Sequence, residues 1–339
     1  MTQWAGPQPA GLAPGFGRRP MPTPPAMRWR QLLSDLHTWK RGSQRAVHKP
    51  LLTLMLIARA DANQPPEVHF AEIEEPLARH LREFGPTRRT YHPEFPFWHL
   101  QTDGFWKLSN PSALQRKTGG NSPSRSTLLK SDAVATVPPD LWNALKRDPR
   151  LRSELATRLL NDFWPPSQHA AIRSALALPE ALGDPGDNGP SRRRDPRFRT
   201  EVLTAYERRC AICGYDGRLA DVLLGVDASH VKWWAYDGPD IVGNGMALCS
   251  FHHVAFDAGA LGLTDDLRVL VSAQVSGQTR VEEWLHAFGG KKLRGPQAGF
   301  AAPEVPFVRW HRDEVFKGPA RGSDSGSSGS GFSLAADGA

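Results

Sequence analysis

Three cysteines and two histidines in the second half of the chain have the types and spacing of a metal site. Cys210 and Cys213 form a CxxC pair, and Cys249 and His252 form a CxxH pair. Two such half-sites supply four ligands to one tetrahedral Zn²⁺ ion. Because the sequence has no other cysteine, a disulfide framework is excluded, and we expect structural zinc in a reducing cytoplasm. His253 then remains for other chemistry.

Histidine and carboxylate residues near this cluster have the properties that phosphodiester hydrolysis requires. That reaction needs a base to deprotonate water and a cation to stabilise the charge on the leaving oxygen. His230 is the candidate base, since a neutral imidazole is available near pH 7. His253 and Asp257 are four residues apart on a predicted helix, so they share one face and can hold Mg²⁺ or Mn²⁺. Asn244 is expected to fix a loop through backbone hydrogen bonds.

The apolar periodicity of this half predicts the elements that carry these residues. A helix is expected at Phe198–Arg208 and a strand at Val222–Val226, which leads towards His230. A loop over 236–244 follows, and a helix at Ala247–Ala258 then carries the second histidine cluster. We therefore expect a strand, a loop and a helix around one site.

His230, Asn244 and His253, in this order on these elements, resemble the HNH nuclease family, whose core is a ββα-metal motif. The resemblance covers about 60 residues and includes zinc half-sites, which many HNH domains carry. It implies that these three residues form the catalytic set. HNH domains often have a metal-binding Asp or His directly before the catalytic histidine, whereas this chain has Ser229 there. Asp227 is the candidate that supplies the missing carboxylate to the cation.

The first half of the chain is expected to mix helices and strands. Apolar spacing predicts one helix at Trp29–Trp39 and another from Pro50 through Ala60. Phe95–Leu100 is predicted to form a strand, Asp103-Gly104 a turn, and Phe105–Leu108 the returning strand. Two later helices are predicted, Asp140–Asn161 and Ser167–Ala177.

Two motifs of this half carry a second resemblance. One is His48-Lys49-Pro50, directly before the predicted helix, and the other runs from Tyr91 through Phe95 and Pro96 to Trp106. Together they resemble the sulfur-binding domain of type IV restriction endonucleases that recognise phosphorothioated DNA. In that family the domain precedes a C-terminal HNH domain, which is the order found here. The resemblance covers roughly residues 28–180.

The resemblance implies a sulfur pocket. Phe95, Pro96 and His99 match its apolar wall, which discriminates against oxygen because oxygen costs more to dehydrate than sulfur. The family usually has a small residue at the position of His99. His48 and Lys49 match the electropositive side, next to a helix N-terminus where phosphate is favoured. Further candidates for phosphate and base contacts are Arg88, Arg89, Asn121 and Arg125, with the loop over 115–125.

The first domain carries an excess of positive charge, as a domain that binds phosphate would, and ordinary solubility charge explains the excess equally well. Residues 26–182 hold 22 Lys and Arg against 15 Asp and Glu, whereas residues 193–317 hold 16 of each. The longest apolar run, Leu51–Ala58, is too short to span a bilayer, so we expect no membrane partner and a cytoplasmic protein. The expected organisation is a disordered segment 1–25, a reading domain 26–182, a linker 183–192, a nuclease domain 193–317 and a disordered tail 318–339.

The sequence thus predicts an α+β protein, with an N-terminal mixed α/β sulfur-binding-type domain followed by a zinc-containing HNH (ββα-metal) domain. The predicted function is endonucleolytic cleavage of double-stranded DNA that carries phosphorothioates. One alternative is an HNH endonuclease that reads methylated or other modified bases. Another is a non-catalytic zinc-containing DNA-binding protein. Since one ββα-metal site cuts one strand at a time, double-strand cleavage predicts a homodimer or two successive events.

Overall fold

The computed structural model describes residues 24–41, 44–114, 120–181 and 195–322. The predicted linker 183–192 lies outside these residues, as do most of segments 1–25 and 318–339 and the first part of the loop over 115–125. At the ends of the described ranges, the chain is structured a little further than expected. Pro25 begins a helix, and Ala320 forms a β-bridge with Ser272.

The first half of the chain is mainly helical around one core. Its helices are α1 (Pro25–Ser34), α2 (His48–Asp61), α3 (Phe70–Phe84), α4 (Glu94–His99), α5 (Arg125–Lys130), α6 (Pro139–Arg147), α7 (Pro149–Phe163) and α8 (Pro166–Ala175). Helix α2 is central, with Leu51, Leu52 and Leu54 fully buried. Pro50 lies in its first turn, where the missing N–H has no helical partner to lose. The helix therefore begins at His48, and His48 and Lys49 lie inside its first turn rather than before it.

Short antiparallel strands complete this half. They are β1 (Lys40–Arg41), β2 (Gln44–Arg45), β3 (Glu67–His69), β4 (Lys107–Leu108) and β5 (Val134–Thr136). Strands β1 and β2 pair with each other, and β5 lies between β3 and β4 in a three-stranded sheet. In the segment Phe105–Leu108, predicted as the returning strand of a hairpin, the last two residues form β4. They pair with β5 in this small sheet instead of forming a local hairpin.

The predicted strand Phe95–Leu100 is wrong, because residues Glu94–His99 form helix α4 and Leu100–Asp103 continue as a 3₁₀ turn. A short apolar run does not separate a buried strand from a buried helix by periodicity alone. Pro96 decides the outcome here. In a paired strand its missing N–H would remove a ladder hydrogen bond, whereas in the first turn of a helix nothing is lost. Gly104 ends the turn at φ 82°, which suits glycine.

Two helix predictions also need correction. The segment Asp140–Asn161 is divided at Asp148-Pro149, where the Asp148 carboxylate caps α7 by accepting the Leu151 N–H at 3.0 Å. Helix α1 starts and ends earlier than expected, at Pro25 and Ser34, and Trp39 lies exposed beyond it. A proline at a helix start accounts for the break between α6 and α7.

The second half contains the predicted strand–loop–helix order. Its elements are α9 (Arg197–Ala205), β6 (Arg218–Leu219), β7 (Val222–Leu223), β8 (Val226–His230), β9 (Gly245–Cys249), α10 (Ser250–Asp257), β10 (Leu261–Leu263), β11 (Val269–Val271), α11 (Val281–Trp284) and α12 (Val305–Glu314). Strands β8 and β9 form an antiparallel hairpin, and α10 follows β9 directly. The helix predicted at Ala247–Ala258 therefore begins three residues later than expected, at Ser250, because residues 247–249 pair with β8. The predicted strand Val222–Val226 is divided between β7 and β8.

The two halves share a hydrophobic core. Trp233, Tyr236 and Trp310 of the second half are buried in the cluster that includes the helices of the first. Their rings pack against one another, with centroid distances from 5.2 to 5.9 Å. Lys317 adds polar contacts across the boundary by donating to the carbonyl oxygen of Gly85 at 2.6 Å. Contacts of this kind fix the orientation of one half against the other.

No helix within the described ranges is long and apolar enough to cross a membrane.

Candidate active site and DNA-reading surface

A ββα element formed by β8, β9 and α10 carries the predicted catalytic residues. The hairpin register pairs His230 with Gly245 and Val226 with Cys249. Helix α9 packs against the hairpin through Phe198 and Val202, and a Cβ atom at Gly245 would collide with the Val202 side chain. Only glycine permits this close approach, which holds α9 over the end of β8 where His230 lies.

His230 is oriented by a carboxylate and an aromatic ring. Its Nε2 lies 2.7 Å from Oδ1 of Asp240, and its ring stacks on Phe198 with centroids 4.0 Å apart. The second oxygen of Asp240 accepts the N–H of Asp195 at 2.8 Å. An imidazole that donates from Nε2 to a carboxylate carries its lone pair on Nδ1. This geometry prepares one defined ring nitrogen of His230 for accepting a proton.

Asp240 contacts a candidate catalytic residue and is absent from the residues predicted from the sequence. It lies ten residues beyond His230, in the loop that joins the two strands of the hairpin. No motif spacing distinguishes it from Asp237, which lies in the same loop. The side chains differ in their surroundings, since Asp240 is largely buried against His230 whereas Asp237 is exposed.

Asn244 is completely buried and fastens the same loop. Its Oδ1 accepts the Lys232 N–H at 2.8 Å, and its Nδ2 donates to the carbonyl oxygens of Lys232 and Pro239, each at 3.0 Å. With three hydrogen bonds to backbone groups, the amide fixes the path of the chain between β8 and β9. This is the loop-fixing arrangement that the sequence predicts for Asn244.

His253 and Asp257 lie on one face of α10. Their Nε2 and Oδ2 atoms are 3.2 Å apart, and His253 is partly exposed whereas only 2% of Asp257 is accessible. Burial disfavours the charged imidazole, but the hydrogen bond and charge of Asp257 outweigh it and raise the pKa of His253. The negative charge of Asp227 adds to this rise, so Asp227 lies within electrostatic reach of His253.

Asp227 and Ser229 share one side of β8, since side chains alternate along a strand. The Asp227 carboxylate is exposed and accepts from Arg199 Nε at 2.7 Å. The Ser229 hydroxyl is buried and has no hydrogen-bond partner among the described groups. Ser229 occupies the position at which HNH domains often have a metal ligand, and Asp227 lies on the same side of the strand.

HNH domains use a divalent metal ion, and the donor set here is compatible with one. An exposed carboxylate, a half-buried imidazole and a buried hydroxyl without a partner are oxygen and nitrogen donors that Mg²⁺ and Mn²⁺ accept. Within the described ranges, these groups do not form a cluster of three or more His, Cys, Asp or Glu ligands. Water and a DNA phosphate would have to complete the coordination.

The four predicted zinc ligands do form such a cluster. The ligand atoms of Cys210, Cys213, Cys249 and His252 all lie within 4.8 Å of one another. Cys213 Sγ is 3.9 Å from Cys249 Sγ, and His252 Nδ1 is 3.2 Å and 3.6 Å from the sulfurs of Cys249 and Cys210. Metal–ligand bonds of about 2.0–2.3 Å in a tetrahedron place the ligand atoms at about these separations. The cluster fits a tetrahedral metal ion.

The imidazole of His252 is held ready for such an ion. Its Nε2 lies 3.0 Å from the carbonyl oxygen of Trp284 and donates to it, so that Nδ1 faces the sulfurs. The Cys213 and Cys249 thiols, acting as hydrogen-bond donors, lower the pKa of Cys210, which favours a thiolate. His252 and His253 are adjacent on α10, but His252 belongs to the zinc-type ligand set whereas His253 lies on the face with Asp257.

In the first half, His48 lies among positive groups. Burial and the charges of Arg88 and His92 lower the pKa of His48 to about 4. The imidazole is therefore neutral near pH 7, so the positive charge at this place belongs to Arg88. Arg88 itself reaches across the domain boundary and pairs with Glu314 of α12 at 3.1 Å.

Lys49 is engaged by a buried carboxylate. Its Nζ lies 2.5 Å from Oδ2 of Asp103, and the Asp103 side chain is inaccessible to solvent. The same Nζ also lies 3.4 Å from the hydroxyl of Thr102. This pairing joins the start of α2 to the turn that follows α4, so the ammonium group of Lys49 is neutralised locally.

Helix α4 rearranges the predicted pocket wall. Phe95 and His99 are four residues apart and half-buried on one face, with ring centroids 6.5 Å apart, and Phe95 also stacks on His92 at 4.7 Å. Pro96 is buried on another side of the helix. Helices α2 and α4 pack together, and His92, which stacks on Phe95, is close enough to His48 to lower the pKa of that imidazole. The three rings of His92, Phe95 and His99 thus form one aromatic group on this face.

The remaining predicted DNA contacts lie on the surface. Arg89 is exposed, and Arg125 is exposed while it pairs with the buried Glu74. The side chain of Asn121 is exposed, whereas its backbone carbonyl accepts the indole N–H of Trp98 at 3.0 Å. The structure therefore links Asn121 to α4, and it places Arg125 at the start of α5.

Comparison with known families agrees with this division. Residues 26–181 match the family described as "ScoMcrA-like, DNA sulfur-binding domain", and residues 210–264 match the family described as "HNH endonuclease". No curated protein matches the chain.

Several solved structures are similar to parts of the chain. The sulfur-binding domain of ScoMcrA complexed with phosphorothioated DNA is 22% identical, covers 43% of this chain and 96% of its own, and has a TM-score of 0.38. The combined sulfur-binding and SRA domains of ScoMcrA are 20% identical, cover 59% and 67% of the two chains, and have a TM-score of 0.41. The modification-dependent restriction endonuclease TagI is 25% identical, covers 37% and 39%, and has a TM-score of 0.27.

The fold and the family matches define a DNA endonuclease of the HNH class with a separate DNA-binding domain before it. More particularly, this chain carries a ScoMcrA-like DNA sulfur-binding domain followed by a zinc-type HNH domain. The family identification and the α+β architecture predicted from the sequence are therefore confirmed.

Proposed function

We propose that this enzyme binds double-stranded DNA carrying phosphorothioates and hydrolyses a nearby phosphodiester, and so restricts modified foreign DNA. The observation that carries the proposal is one chain that joins a DNA sulfur-binding domain to an HNH domain. The ScoMcrA and SprMcrA sulfur-binding domains, which are similar to the first half, were solved with phosphorothioated DNA.

The chemistry of the His48 region suits a phosphate in which sulfur replaces an oxygen. Sulfur is larger and less hydrated than oxygen, so an apolar wall such as Phe95 discriminates in its favour. A neutral His48 avoids placing a strongly hydrated charge next to the sulfur. The exposed Arg89 then supplies positive charge that attracts the phosphate backbone, with Arg88 and Lys49 beside the site although each is paired with a carboxylate. The exposed residues Asn121 and Arg125 are the candidates for further DNA contacts.

The nuclease half divides the reaction between two histidines. His230 accepts the proton of the attacking water at Nδ1, while Asp240 holds the ring and stabilises the imidazolium that results. His253 and Asp227 are the residues that would hold a catalytic Mg²⁺ or Mn²⁺. When bound, that ion supplies stabilisation of the negative charge on the phosphate and the leaving oxygen. Asn244 keeps the loop of Asp240 in place.

Asp257 has a different part from the one expected. The sequence predicts that Asp257 binds the cation together with His253. Its burial and its hydrogen-bonded partners favour instead a carboxylate that binds the His253 imidazole. Metal-bound histidines commonly donate their second N–H to such a carboxylate, which fixes the ring and its tautomer. Cys210, Cys213, Cys249 and His252 bind Zn²⁺ and stabilise the domain without taking part in the reaction.

Two further parts of the proposal concern the cellular context. The enzyme acts in the cytoplasm, where foreign DNA arrives and where cysteines stay reduced. Because one site cuts one strand, cleavage of both strands takes either two successive events or a homodimer. Sedimentation of the enzyme with and without modified duplex distinguishes these two possibilities.

A competition experiment tests the reader. The affinity of the full protein is measured for three duplexes of identical sequence that are phosphorothioated, methylated or unmodified. We expect the phosphorothioated duplex to bind at least tenfold more tightly than either of the others. Equal affinity for all three would contradict the proposal, and preference for the methylated duplex would favour the alternative reader.

A cleavage experiment tests the nuclease. Phosphorothioated plasmid is incubated with Mn²⁺ and either the wild-type protein or His230→Ala. General-base catalysis contributes about 10²- to 10⁴-fold, so the variant should lose cleavage by this factor while it still binds the plasmid. If neither protein cuts, the chain is a DNA-binding zinc protein and the catalytic proposal fails.

A further inference from the structure

The carboxylate of Asp257 is held from both halves of the molecule. Its Oδ1 accepts the indole N–H of Trp233 at 3.2 Å, within the nuclease half. Its Oδ2 accepts a hydrogen bond from the hydroxyl of Ser167, which lies on α8 of the sulfur-binding domain, 90 residues earlier in the sequence. The same Oδ2 lies 3.2 Å from Nε2 of His253. One oxygen therefore joins a reader residue to a candidate metal ligand.

A second reader residue holds the backbone at the same point. The side-chain amide of Gln168 donates to the carbonyl oxygen of Asp257, at the end of α10. Such a carbonyl has no partner inside its own helix, because the last four carbonyls of a helix are unsatisfied. Gln168 is itself buried, so water is a poor substitute for it. Adjacent residues of α8 thus fix both the backbone and the side chain of Asp257.

We propose that Ser167 is a positioning residue of the nuclease, which orients His253 for the catalytic cation through Asp257. The inference deepens the proposed function and rests on it. The Ser167 hydroxyl limits the rotation of the Asp257 carboxylate, and the carboxylate in turn fixes the ring and tautomer of His253. The sulfur-binding domain thereby contributes a side chain to the arrangement of the catalytic centre, in addition to binding DNA.

The contact follows from the way in which the halves pack. Helix α8 lies against α10, and the Trp233 ring that donates to Asp257 belongs to the shared core. Neither Ser167 nor Gln168 would reach Asp257 if the halves were separated. A free HNH domain would therefore hold the Asp257 carboxylate through Trp233 and His253, without the contacts from α8.

The decisive experiment measures Mn²⁺ affinity in the zinc-loaded full protein, by electron paramagnetic resonance of free Mn²⁺. Ser167→Ala should weaken Mn²⁺ binding about three- to tenfold, since loss of a partner in the outer shell of a metal site costs up to about 10–100-fold. The Mn²⁺ concentration for half-maximal cleavage should rise by the same factor. The rate at saturating Mn²⁺ and the affinity for modified DNA should stay within about twofold. Ser167→Thr, which keeps the hydroxyl, should restore wild-type Mn²⁺ affinity.

A matched control separates this effect from general damage to the boundary. The hydroxyl of Thr87 donates to the carbonyl oxygen of Phe316 at 3.1 Å, also across the boundary but on residues that do not contact Asp257. Thr87→Val should leave Mn²⁺ affinity unchanged. Equal losses in Thr87→Val and Ser167→Ala, or wild-type Mn²⁺ affinity in Ser167→Ala, would overturn the proposal.

The outcomes also separate this inference from the proposed function. If modified DNA is neither preferred nor cut, the proposed function fails, whereas the comparison of Mn²⁺ affinities still gives its own answer. If His253→Ala binds Mn²⁺ as tightly as the wild type, His253 does not hold the cation and the inference fails. Equal zinc content and unfolding temperature in all variants establish that the fold is intact.

Discussion

Three histidines of the two candidate sites, His230 and His253 in the nuclease half and His48 in the sulfur-binding half, have opposite electrostatic surroundings. In the nuclease half, His230 lies 2.7 Å from Asp240 and His253 lies 3.2 Å from Asp257. In the sulfur-binding half, the charged groups that act on His48 are positive, and with burial they lower its pKa to about 4. One type of side chain thus serves two purposes, which its neighbours determine.

The comparison separates the histidines that suit proton transfer from the one that does not. A carboxylate next to an imidazole orients the ring and stabilises the imidazolium, which suits a base or a metal ligand. A histidine that stays neutral well below pH 7 is poorly suited to exchanging protons there. It offers instead a polarisable surface with one N–H donor. These surroundings fit the roles proposed above, catalysis for His230 and His253 and recognition for His48.

The largest expected effect comes from breaking one carboxylate–histidine pair. Asp240→Asn should lower kcat about a hundredfold, because the amide neither stabilises the imidazolium nor imposes the same tautomer. Affinity for modified DNA should not change. The kinetics of plasmid nicking under single-turnover conditions provide the measurement. Asp237→Asn, an exposed change in the same loop at a residue with φ 61°, is the control and should retain full activity.

An intermediate effect is expected from separating attraction to phosphate from preference for sulfur. Phe95→Ala removes part of the apolar wall and should lower the ratio of affinities for modified and plain DNA about tenfold. Arg89→Ala removes an exposed cation and should weaken binding to both duplexes by a similar factor. Fluorescence anisotropy with matched duplexes measures both ratios. A loss of selectivity in Arg89→Ala but not in Phe95→Ala would reverse the roles given to these residues.

The smallest expected effect concerns stability and pH. The unfolded chain protonates His48 near pH 6.5, whereas the folded protein does so only near pH 4. The unfolded state therefore binds more protons between these values, and the free energy of unfolding should fall as the pH decreases from 6.5. The contribution of His48 at pH 5 should be about 1 kcal/mol after allowance for solvent screening. Urea denaturation at pH 7 and pH 5 measures the fall, and His48→Gln should reduce it by this amount.

The nuclease site was largely predictable because its residues are close in sequence. The four zinc-type ligands are spaced as two short half-sites, and His230 and His253 occupy recognisable places on a strand and the following helix. Such spacing carries three-dimensional information, since each ligand must reach a common point from a regular element. Secondary-structure boundaries were less accurate, because residues 247–249 have apolar side chains that suit a helix or a strand equally.

Contacts between distant segments were beyond sequence reasoning. Asp240 has the same type and loop as Asp237, and only the folded loop distinguishes them. Ser167 reaches Asp257 across 90 residues, with no motif to mark it. In the sulfur-binding half the motif residues were recognised, yet the run Phe95–Leu100 was given the wrong secondary structure. Most of its side chains are apolar and buried, so that a polar face too short to reveal the helical periodicity remains.

The aromatic group formed by Trp233, Tyr236 and Trp310 has a consequence for the pattern of cleavage. These rings belong to the core of the sulfur-binding half, so the proposed catalytic residues are packed against the proposed reading domain. On the proposed function, the packing of the two halves then sets the distance between the modified phosphate and the cut. Cleavage products should accordingly end at a narrow set of distances from the sulfur, whatever sequence lies between.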